Sequence, residues 1–278
     1  MTYEDQYYEM VRRIIKEGVE EVNERTGLKT RRIPHHVITV DLQKEFPILK
    51  AKKTNWKTAI KEILWIMQTQ SNNIKDLDAH IWDEWADENG SIGKAYGYQI
   101  KQHKQIDNIL DSLNNDKSSR RMVIDLMQLA DIDEMNLTPC CYSSIFTVIN
   151  NKLNCMLIQR SSDTMTGNAF NTTQYAALTH MLAHCSGLEV GTLTHCIADA
   201  HIYENQYEGV CKYLDQYHEM RRVWVQDKAR KEELEKINNA VPKLSLEGAP
   251  TDFYKITIDD FHVTGYECMP FIKFPVAV

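Results

Sequence analysis

Residues 138–171 read TPCCYSSIFTVINNKLNCMLIQRSSDTMTGNAFN, and this stretch places Cys140, Arg160, Asp163 and Asn171 within one short span. The thiolate is the nucleophilic form of cysteine, and a nearby cation favours it by lowering the pKa of the thiol. Arg160 supplies such a charge and can also bind a phosphate. Asn171 can both donate and accept hydrogen bonds. These groups are suited to adding a nucleophile to a phosphorylated heterocycle.

The pattern of apolar residues predicts helices interleaved with strands. Within the opening stretch, residues 142–157 alternate as in a β-hairpin that turns at Asn150-Asn151-Lys152. Apolar residues at helical spacing predict helices over 3–23, 55–70, 105–115, 172–185 and 204–220. Further strands are expected in 32–49, 121–126 and 189–197. Because no Gly/Ser-rich linker divides the chain, we expect one domain of the α+β class over residues 1–278.

Composition excludes several classes of function. A net charge of −7 argues against a general DNA-binding protein, which would carry a basic field. No apolar run approaches the roughly 18 residues that a membrane span needs, and the acidic N-terminus lacks the pattern of a signal peptide. The seven cysteines show no paired spacing, so we expect reduced thiols and a cytoplasmic protein.

Further blocks of sequence extend the pattern of residues 138–171. They are Asp83 to Gly90, Tyr96-Gly97, Ser119-Arg120-Arg121, Asp199 to Tyr203 and Pro275 to Val278. Together with the Pro-Cys pair, the Gln-Arg-Ser-x-Asp run and the Gly-x-x-Phe-Asn run, they resemble the thymidylate synthase family in the family's order. The resemblance implies a large mixed β-sheet flanked by helices, in a homodimer whose sheets pack face to face.

The resemblance also implies a reaction, the reductive methylation of dUMP to dTMP with 5,10-methylenetetrahydrofolate as cosubstrate and without a metal. Cys140 would add to C6 of the pyrimidine, and C5 would then attack the methylene carbon of the folate. The folate would then leave and return a hydride. Covalent addition is required because C5 of uracil is a poor nucleophile until C6 is saturated.

Matching positions imply the residues that bind the nucleotide. Arg25 and Arg160, assisted by Ser161, would bind the phosphate. Arg120 and Arg121 would reach the same phosphate from the second subunit of the homodimer. His201 and Tyr203 would hold the ribose, and Asn171 would bind the edge of uracil.

The resemblance further implies a folate pocket and a catalytic set. The pocket would be lined by Trp82, Trp85, Leu137, Asp163, Gly167 and Phe170, with Val278 closing over it. The catalytic residues would be Cys140, Glu62, Tyr96, Arg160, Asp163 and Asn171.

Glu62 is also singled out by its own surroundings. It precedes Ile63, Leu64 and Trp65 in an amphipathic pattern. Most glutamates in helices are simply exposed. A glutamate held at an apolar pocket wall would instead have a raised pKa, which suits it to proton transfer. The match of this segment to the family's Glu-Leu-Leu-Trp block favours the second interpretation.

Three other interpretations compete with this one. His180 and His184 lie four residues apart, as in some zinc sites, but no glutamate follows His180 and the cysteines form no ligand pair. Cys140 with His201 would suit a thiol hydrolase, which leaves the arginines unexplained. A non-catalytic binder of phosphorylated ligands would not need Cys140, Glu62 and Asn171 together.

The chain departs from the family pattern at several points. Cys141 stands where many members carry histidine, Ile145 replaces a usual glutamine, and Ala198 replaces a glycine. Ala51-Lys52-Lys53 and the stretch 33–37 also differ. Because of these departures, the sequence is also compatible with a second function. This alternative is a nucleotide 5-hydroxymethylase that acts on dUMP, dCMP or CMP with the same folate. In such an enzyme, water rather than hydride reacts with the intermediate.

Overall fold

The structure is a computed structural model that describes residues 1–222 and 225–277. Its helices are α1 (Tyr3–Glu17), α2 (Trp56–Leu64), α3 (Gly97–Gln102), α4 (Gln105–Asn115), α5 (Ala169–Cys185), α6 (Tyr207–Met220) and α7 (Lys228–Asn239). Its strands are β1 (Val19–Val22), β2 (Lys29–Asp41), β3 (Val123–Asp125), β4 (Cys141–Ile149), β5 (Lys152–Gln159), β6 (Ser162–Asp163), β7 (Glu189–Tyr203), β8 (Lys243–Ser245) and β9 (His262–Thr264).

One large sheet organises the chain. Its strands run in the order β1-β2-β7-β5-β4-β3, and β6 pairs with β7 beside this path. The pairs β1–β2, β2–β7, β3–β4 and β4–β5 are antiparallel, whereas β5 and β6 run parallel to β7. The sheet is therefore mixed and the helices pack on it, which confirms the predicted α+β class.

Helix α5 is the central helix. It buries 12 of its 17 residues, and these lie around the whole helix rather than along one stripe. Such a pattern is typical of a helix enclosed on several sides. It packs against β5 and β7 and against α2. The first turns of α5 therefore place Asn171 and Gln174 beside Glu62 of α2.

Several predicted boundaries are confirmed and others shift. Helix α4 spans the predicted residues 105–115, and the β4–β5 hairpin turns at Asn150 and Asn151, both of which have positive φ. The predicted helix over 3–23 is wrong beyond Glu17, because Gly18 is extended and Val19 begins an exposed strand. The strand predicted over 189–197 continues to Tyr203. This extension carries His201 and Tyr203 into the site.

Candidate active site

A cavity of about 470 Å³ opens at the end of the sheet where β4 begins and β7 ends. Its wall combines distant parts of the sequence, from residue 25 to residue 277. Among the predicted site residues, those that line it are Arg25, Glu62, Trp82, Trp85, Tyr96, Leu137, Cys140, Ser161, Asp163, Gly167, Phe170, Asn171, His201 and Tyr203.

Cys140 lies in this wall, just before β4. Its backbone N–H donates to the hydroxyl oxygen of Tyr96 at 3.2 Å. Burial raises the pKa of the Cys140 thiol, while the charges of Arg160 and Arg25 oppose that rise and Asp163 adds to it. The expected influence of Arg160 is present, but burial outweighs it and the thiol form is favoured.

The side chain of Arg160 does not line the cavity. Its guanidinium donates to the carbonyl oxygens of Pro139 at 3.1 Å and Thr138 at 2.8 Å. The backbone of Arg160 also donates to the carbonyl of Cys140 at 3.0 Å. Arg160 therefore holds the loop that carries the thiol and acts on Cys140 through its charge.

Two further predicted residues are not part of the cavity wall. Arg120 and Arg121 are exposed in the loop between α4 and β3, away from the cavity of their own chain. Val278, predicted to close the folate pocket, lies outside the described residues. The preceding residues Val276 and Ala277 do line the cavity, and Arg25 donates to the carbonyl of Ala277 at 3.4 Å.

Glu62 accepts two hydrogen bonds in the cavity wall. The indole Nε1–H of Trp82 donates to one carboxylate oxygen at 2.7 Å, and the amide of Gln174 donates to the other at 2.5 Å. Burial raises the pKa of Glu62 to about 7, although both hydrogen bonds act in the opposite direction. A carboxyl group that titrates near neutral pH can both take up and release a proton during a reaction.

Tyr96 is held in an unusual backbone conformation. Its φ is +47° and its ψ is −103°, outside the regions that residues other than glycine ordinarily adopt. The next residue is Gly97, where an added Cβ would lie 2.2 Å from the carbonyl oxygen of Ser71. Burial raises the pKa of Tyr96 well above its usual value, so its hydroxyl is neutral. This conformation places the phenol between Trp82 and Cys140.

Asp163 combines a structural role with its place in the cavity wall. Its carboxylate accepts from the backbone N–H groups of Met165 and Thr166 at 3.1 and 3.3 Å, and from Gln206 at 2.8 Å. It therefore caps the π-helical turn Thr164–Asn168 that leads into α5. This turn carries Gly167 and precedes Phe170.

The end of β7 supplies the opposite wall. The rings of His201 and Tyr203 meet edge to face, with centroids 5.1 Å apart. The Nδ1 atom of His201 lies 3.0 Å from the carboxylate of Asp199, and no hydrogen bond joins His201 to Cys140 among the described residues. This geometry does not support a Cys140–His201 hydrolase pair.

An aromatic surface covers another part of the cavity. The indole rings of Trp82 and Trp85 lie with their centroids 5.6 Å apart, near Leu137 and Phe170. The C-terminal segment also contributes to the cavity wall, through Phe271, Ile272, Phe274, Val276 and Ala277. Tryptophan side chains offer flat apolar faces and polar N–H groups. The surface is thus suited to a flat, partly polar ring system.

Among the cavity residues that sequence reasoning missed, three polar ones form hydrogen bonds within the wall: Gln159, Gln174 and Lys52. Gln159 donates to Asn171 at 3.0 Å, and Gln174 links Asn171 to Glu62. Lys52 bonds to the carbonyl of Met165, and burial lowers its pKa to about 8. Gln174 stands three residues after Asn171, which places both on one helix face. That spacing was a usable signal, but the contact with Glu62 joins residues 112 positions apart.

A zinc site at His180 and His184 finds no support in the part of the chain that the structure describes. That part contains no group of three or more His, Cys, Asp or Glu residues arranged for a metal. His184 bonds to the carbonyl of Ala249 at 3.1 Å, and His180 is buried. All seven cysteines are free thiols. Residues 1–222 and 225–277 also contain no helix long and apolar enough to span a membrane.

The fold places a cysteine thiol and a buried, titratable carboxyl group in the wall of one cavity, an arrangement typical of an enzyme that acts on a small ligand. Comparison with known proteins makes the class specific. The family model described as thymidylate synthase matches residues 5–278. The chain belongs to the thymidylate synthase family.

Individual relatives agree with this assignment. The chain is 42% identical to a thymidylate synthase of Clostridium beijerinckii and 35% identical to one of Bacillus mojavensis, each alignment covering 99% of both chains. The solved structure of a thermostable thymidylate synthase A from Bacillus subtilis matches with a TM-score of 0.85 and 33% identity, covering 100% of both chains. The predicted family and enzyme class are confirmed, and the hydroxymethylase interpretation is not favoured.

Proposed function

We propose that the protein converts dUMP to dTMP by reductive methylation with 5,10-methylenetetrahydrofolate. The observation that carries the proposal is one cavity that contains the Cys140 thiol, the Glu62 carboxyl and the Asn171 carboxamide. The aromatic surface around Trp82 and Trp85 fits the flat ring system of a folate. That folate would supply both the one-carbon unit and the hydride.

Each group in the cavity then has a chemical role. Cys140 adds to C6 of uracil as a thiolate, which saturates the ring and gives C5 the nucleophilic character that it lacks. Glu62, with a pKa of about 7, passes protons to and from the pyrimidine with the help of the Tyr96 hydroxyl. Asn171 presents an N–H to O4 of uracil and an oxygen to N3–H.

The phosphate site is proposed to be completed by a second subunit. Arg25 and Ser161 line the cavity, and Arg160 holds the adjoining loop. Arg120 and Arg121 are exposed, charged and outside the cavity of their own chain, which supports their use across a homodimer interface. His201 and Tyr203 would contact the ribose. A cytoplasmic setting is supported by the seven free thiols.

Product analysis tests the proposal and its base specificity together. The purified protein is incubated with methylenetetrahydrofolate and dUMP, dCMP, UMP or CMP, and the product is identified by mass. We expect dTMP from dUMP, with kcat/KM for dUMP at least about a hundredfold above that for dCMP because cytosine leaves buried polar groups unpaired. The variant Asn171→Asp is expected to narrow or invert this ratio.

Two outcomes would contradict the proposal. A hydroxymethylated product would show that water, rather than hydride, reacts with the intermediate, so that the protein would be a hydroxymethylase. Equal turnover of dCMP and dUMP by the unmodified protein would show that Asn171 does not select uracil.

Subunit mixing tests the shared site. An Arg121→Ala variant and a Cys140→Ala variant are each expected to be nearly inactive alone. A hybrid dimer contains one site with both residues intact, so mixing the two is expected to restore up to about a quarter of the unmodified activity, since half of randomly exchanged dimers are hybrids and each has one site in two.

The control for this experiment mixes Cys140→Ala with Cys140→Ala under the same conditions, which cannot regenerate a site. Subunit exchange is followed independently by mass spectrometry of differently tagged chains. Demonstrated exchange without recovered activity would show that Arg121 does not serve the partner's site.

A further inference from the structure

Three carboxamides in the cavity wall form one hydrogen-bonded chain. The amide of Gln159 donates to the oxygen of Asn171 at 3.0 Å, and the amide of Asn171 donates to the oxygen of Gln174 at 3.2 Å. The amide of Gln174 then donates to the carboxylate of Glu62 at 2.5 Å. Every donor points toward Glu62. We call Gln159, Asn171, Gln174 and Glu62 the amide chain.

The Gln159 end of the amide chain fixes its direction. The second N–H of Gln159 donates to the backbone carbonyl of Ser161 at 3.0 Å, and a carbonyl can only accept. The oxygen of Gln159 lies 2.7 Å from Nε2 of the buried His195, which therefore carries the proton. At the other end, Glu62 accepts from Gln174 with one carboxylate oxygen and from the indole N–H of Trp82 with the other.

We propose that Gln174 is a positioning residue that ties the Asn171 carboxamide to the Glu62 carboxylate and thereby sets which pyrimidine edge the pocket accepts. The assignment rests on the proposed function, in which Asn171 contacts the base. Gln174 is 2% exposed, and both polar atoms of its side chain are used within the amide chain.

The geometry explains a preference for uracil. With its oxygen bonded to Gln159 and its nitrogen to Gln174, Asn171 keeps one further lone pair and one further N–H for a ligand. Uracil matches the free lone pair with its N3–H and the free N–H with its O4. Cytosine presents an acceptor at N3 and an amino donor at C4, so it would need the oxygen and nitrogen of Asn171 to be exchanged. Rotating the Asn171 amide would set nitrogen against nitrogen at Gln159 and oxygen against oxygen at Gln174. Rotating Gln174 as well would set its oxygen against the Glu62 carboxylate.

The amide chain also connects base selection to the ionisation of Glu62. The hydrogen bonds from Trp82 and Gln174 lower the pKa of Glu62, against the larger effect of burial. The titratable groups around it are Tyr96, Cys141 and Tyr175, all buried groups with raised pKa that are neutral near pH 7. Removing the Gln174 amide is therefore expected to raise the pKa of Glu62 further.

The test replaces Gln174 with methionine, which is similar in size and lacks the amide. We expect the ratio of kcat/KM for dUMP over dCMP to fall about tenfold or more, since a hydrogen bond to a charged group is lost and Asn171 is freed to rotate. The acid limb of the pH profile for dUMP is expected to move up by about one pH unit. A residue with a merely structural role would move neither quantity.

Gln105→Met is the matched control. The amide of Gln105 also makes two buried hydrogen bonds, to the carbonyls of Gln99 and Asp125, but it lies outside the cavity. Gln105→Met is expected to be less stable than the unmodified protein. Its ratio of kcat/KM for dUMP over dCMP and the acid limb of its pH profile are expected to be unchanged.

A second variant keeps the test decisive if Gln174→Met folds poorly. In Gln174→Glu, the protonated side chain can donate to Glu62 and accept from Asn171, which reproduces the polarity of the amide chain. Its preference for dUMP is expected to approach that of the unmodified protein at low pH and to decline as pH rises. A preference independent of pH, or an unchanged base ratio in folded Gln174→Met, would overturn the assignment.

Failure of the proposed function would look different. It would appear as absence of dTMP formation by the unmodified protein. In that event, the dissociation constants of dUMP and dCMP, measured by calorimetry without folate, provide the same comparison between the unmodified protein and Gln174→Met. An unchanged ratio of these constants would again overturn the role of Gln174.

Discussion

Cys140→Ala is expected to abolish methylation of dUMP, lowering kcat on the order of 10⁴-fold or more, because it removes the thiol that forms the covalent bond to C6 and activates C5. It should also abolish covalent capture of 5-fluoro-dUMP. The measurement is a rate of dTMP formation together with the intact mass of the protein after incubation with 5-fluoro-dUMP and methylenetetrahydrofolate.

Cys141→Ala provides the matched control. Cys141 is the adjacent thiol, but it is buried at the start of β4 and its pKa is raised well above the usual range. This variant is expected to retain most of the activity and the full mass shift. Turnover by Cys140→Ala, or loss of the mass shift only in Cys141→Ala, would disprove covalent catalysis by Cys140.

Glu62→Gln is expected to lower kcat by about 10²- to 10⁴-fold, the usual contribution of general acid–base catalysis. It should also change the pH profile. The raised pKa of Glu62, about 7, means that the carboxylate forms only as pH rises through neutrality. For the unmodified protein, kcat/KM should therefore increase with pH up to about 7, whereas the residual activity of Glu62→Gln should lack this limb.

Glu4→Gln is the control for Glu62→Gln. It tests whether the change in the pH profile comes from Glu62 itself or from any buried carboxyl group. Burial raises the pKa of Glu4 to about 7 as well, but its carboxylate accepts from the backbone of Lys50 and Ala51 and lies outside the cavity. This variant is expected to be less stable, but its kcat/KM should still increase with pH up to about 7. If the limb vanished in Glu4→Gln and persisted in Glu62→Gln, the assignment of Glu62 would be wrong.

The sequence motifs located the parts of the cavity wall around Cys140, Asn171 and His201, because each motif lies at an end of a helix or strand that borders the cavity. The Pro-Cys pair precedes β4, the Gly-x-x-Phe-Asn run opens α5, and the Asp199 block ends β7. Periodicity also predicted α4 and the β4–β5 hairpin. These features depend on local sequence, so residue patterns were sufficient to find them.

What the sequence did not predict depends on tertiary contacts. The helix predicted through residue 23 ended at Glu17 because the next residues pair as β1 with the distant strand β2. The guanidinium of Arg160 binds backbone carbonyls rather than lining the cavity. Burial of Cys140 outweighs the nearby positive charges. None of these competing effects can be weighed without knowing which groups lie nearby.

The backbone of Tyr96 has a consequence for engineering the protein. A residue in such a conformation typically costs about 1–3 kcal/mol, which the surrounding structure must offset. The free energy of unfolding is thus smaller than it would be with a relaxed backbone at this residue. Glycine at position 96 would relax the backbone, but it would also empty the buried volume that the phenol fills against Trp82, which costs about 3–5 kcal/mol and outweighs the relief. A search for heat-tolerant variants is therefore expected to leave tyrosine at this residue and to find its stabilising substitutions elsewhere in the chain.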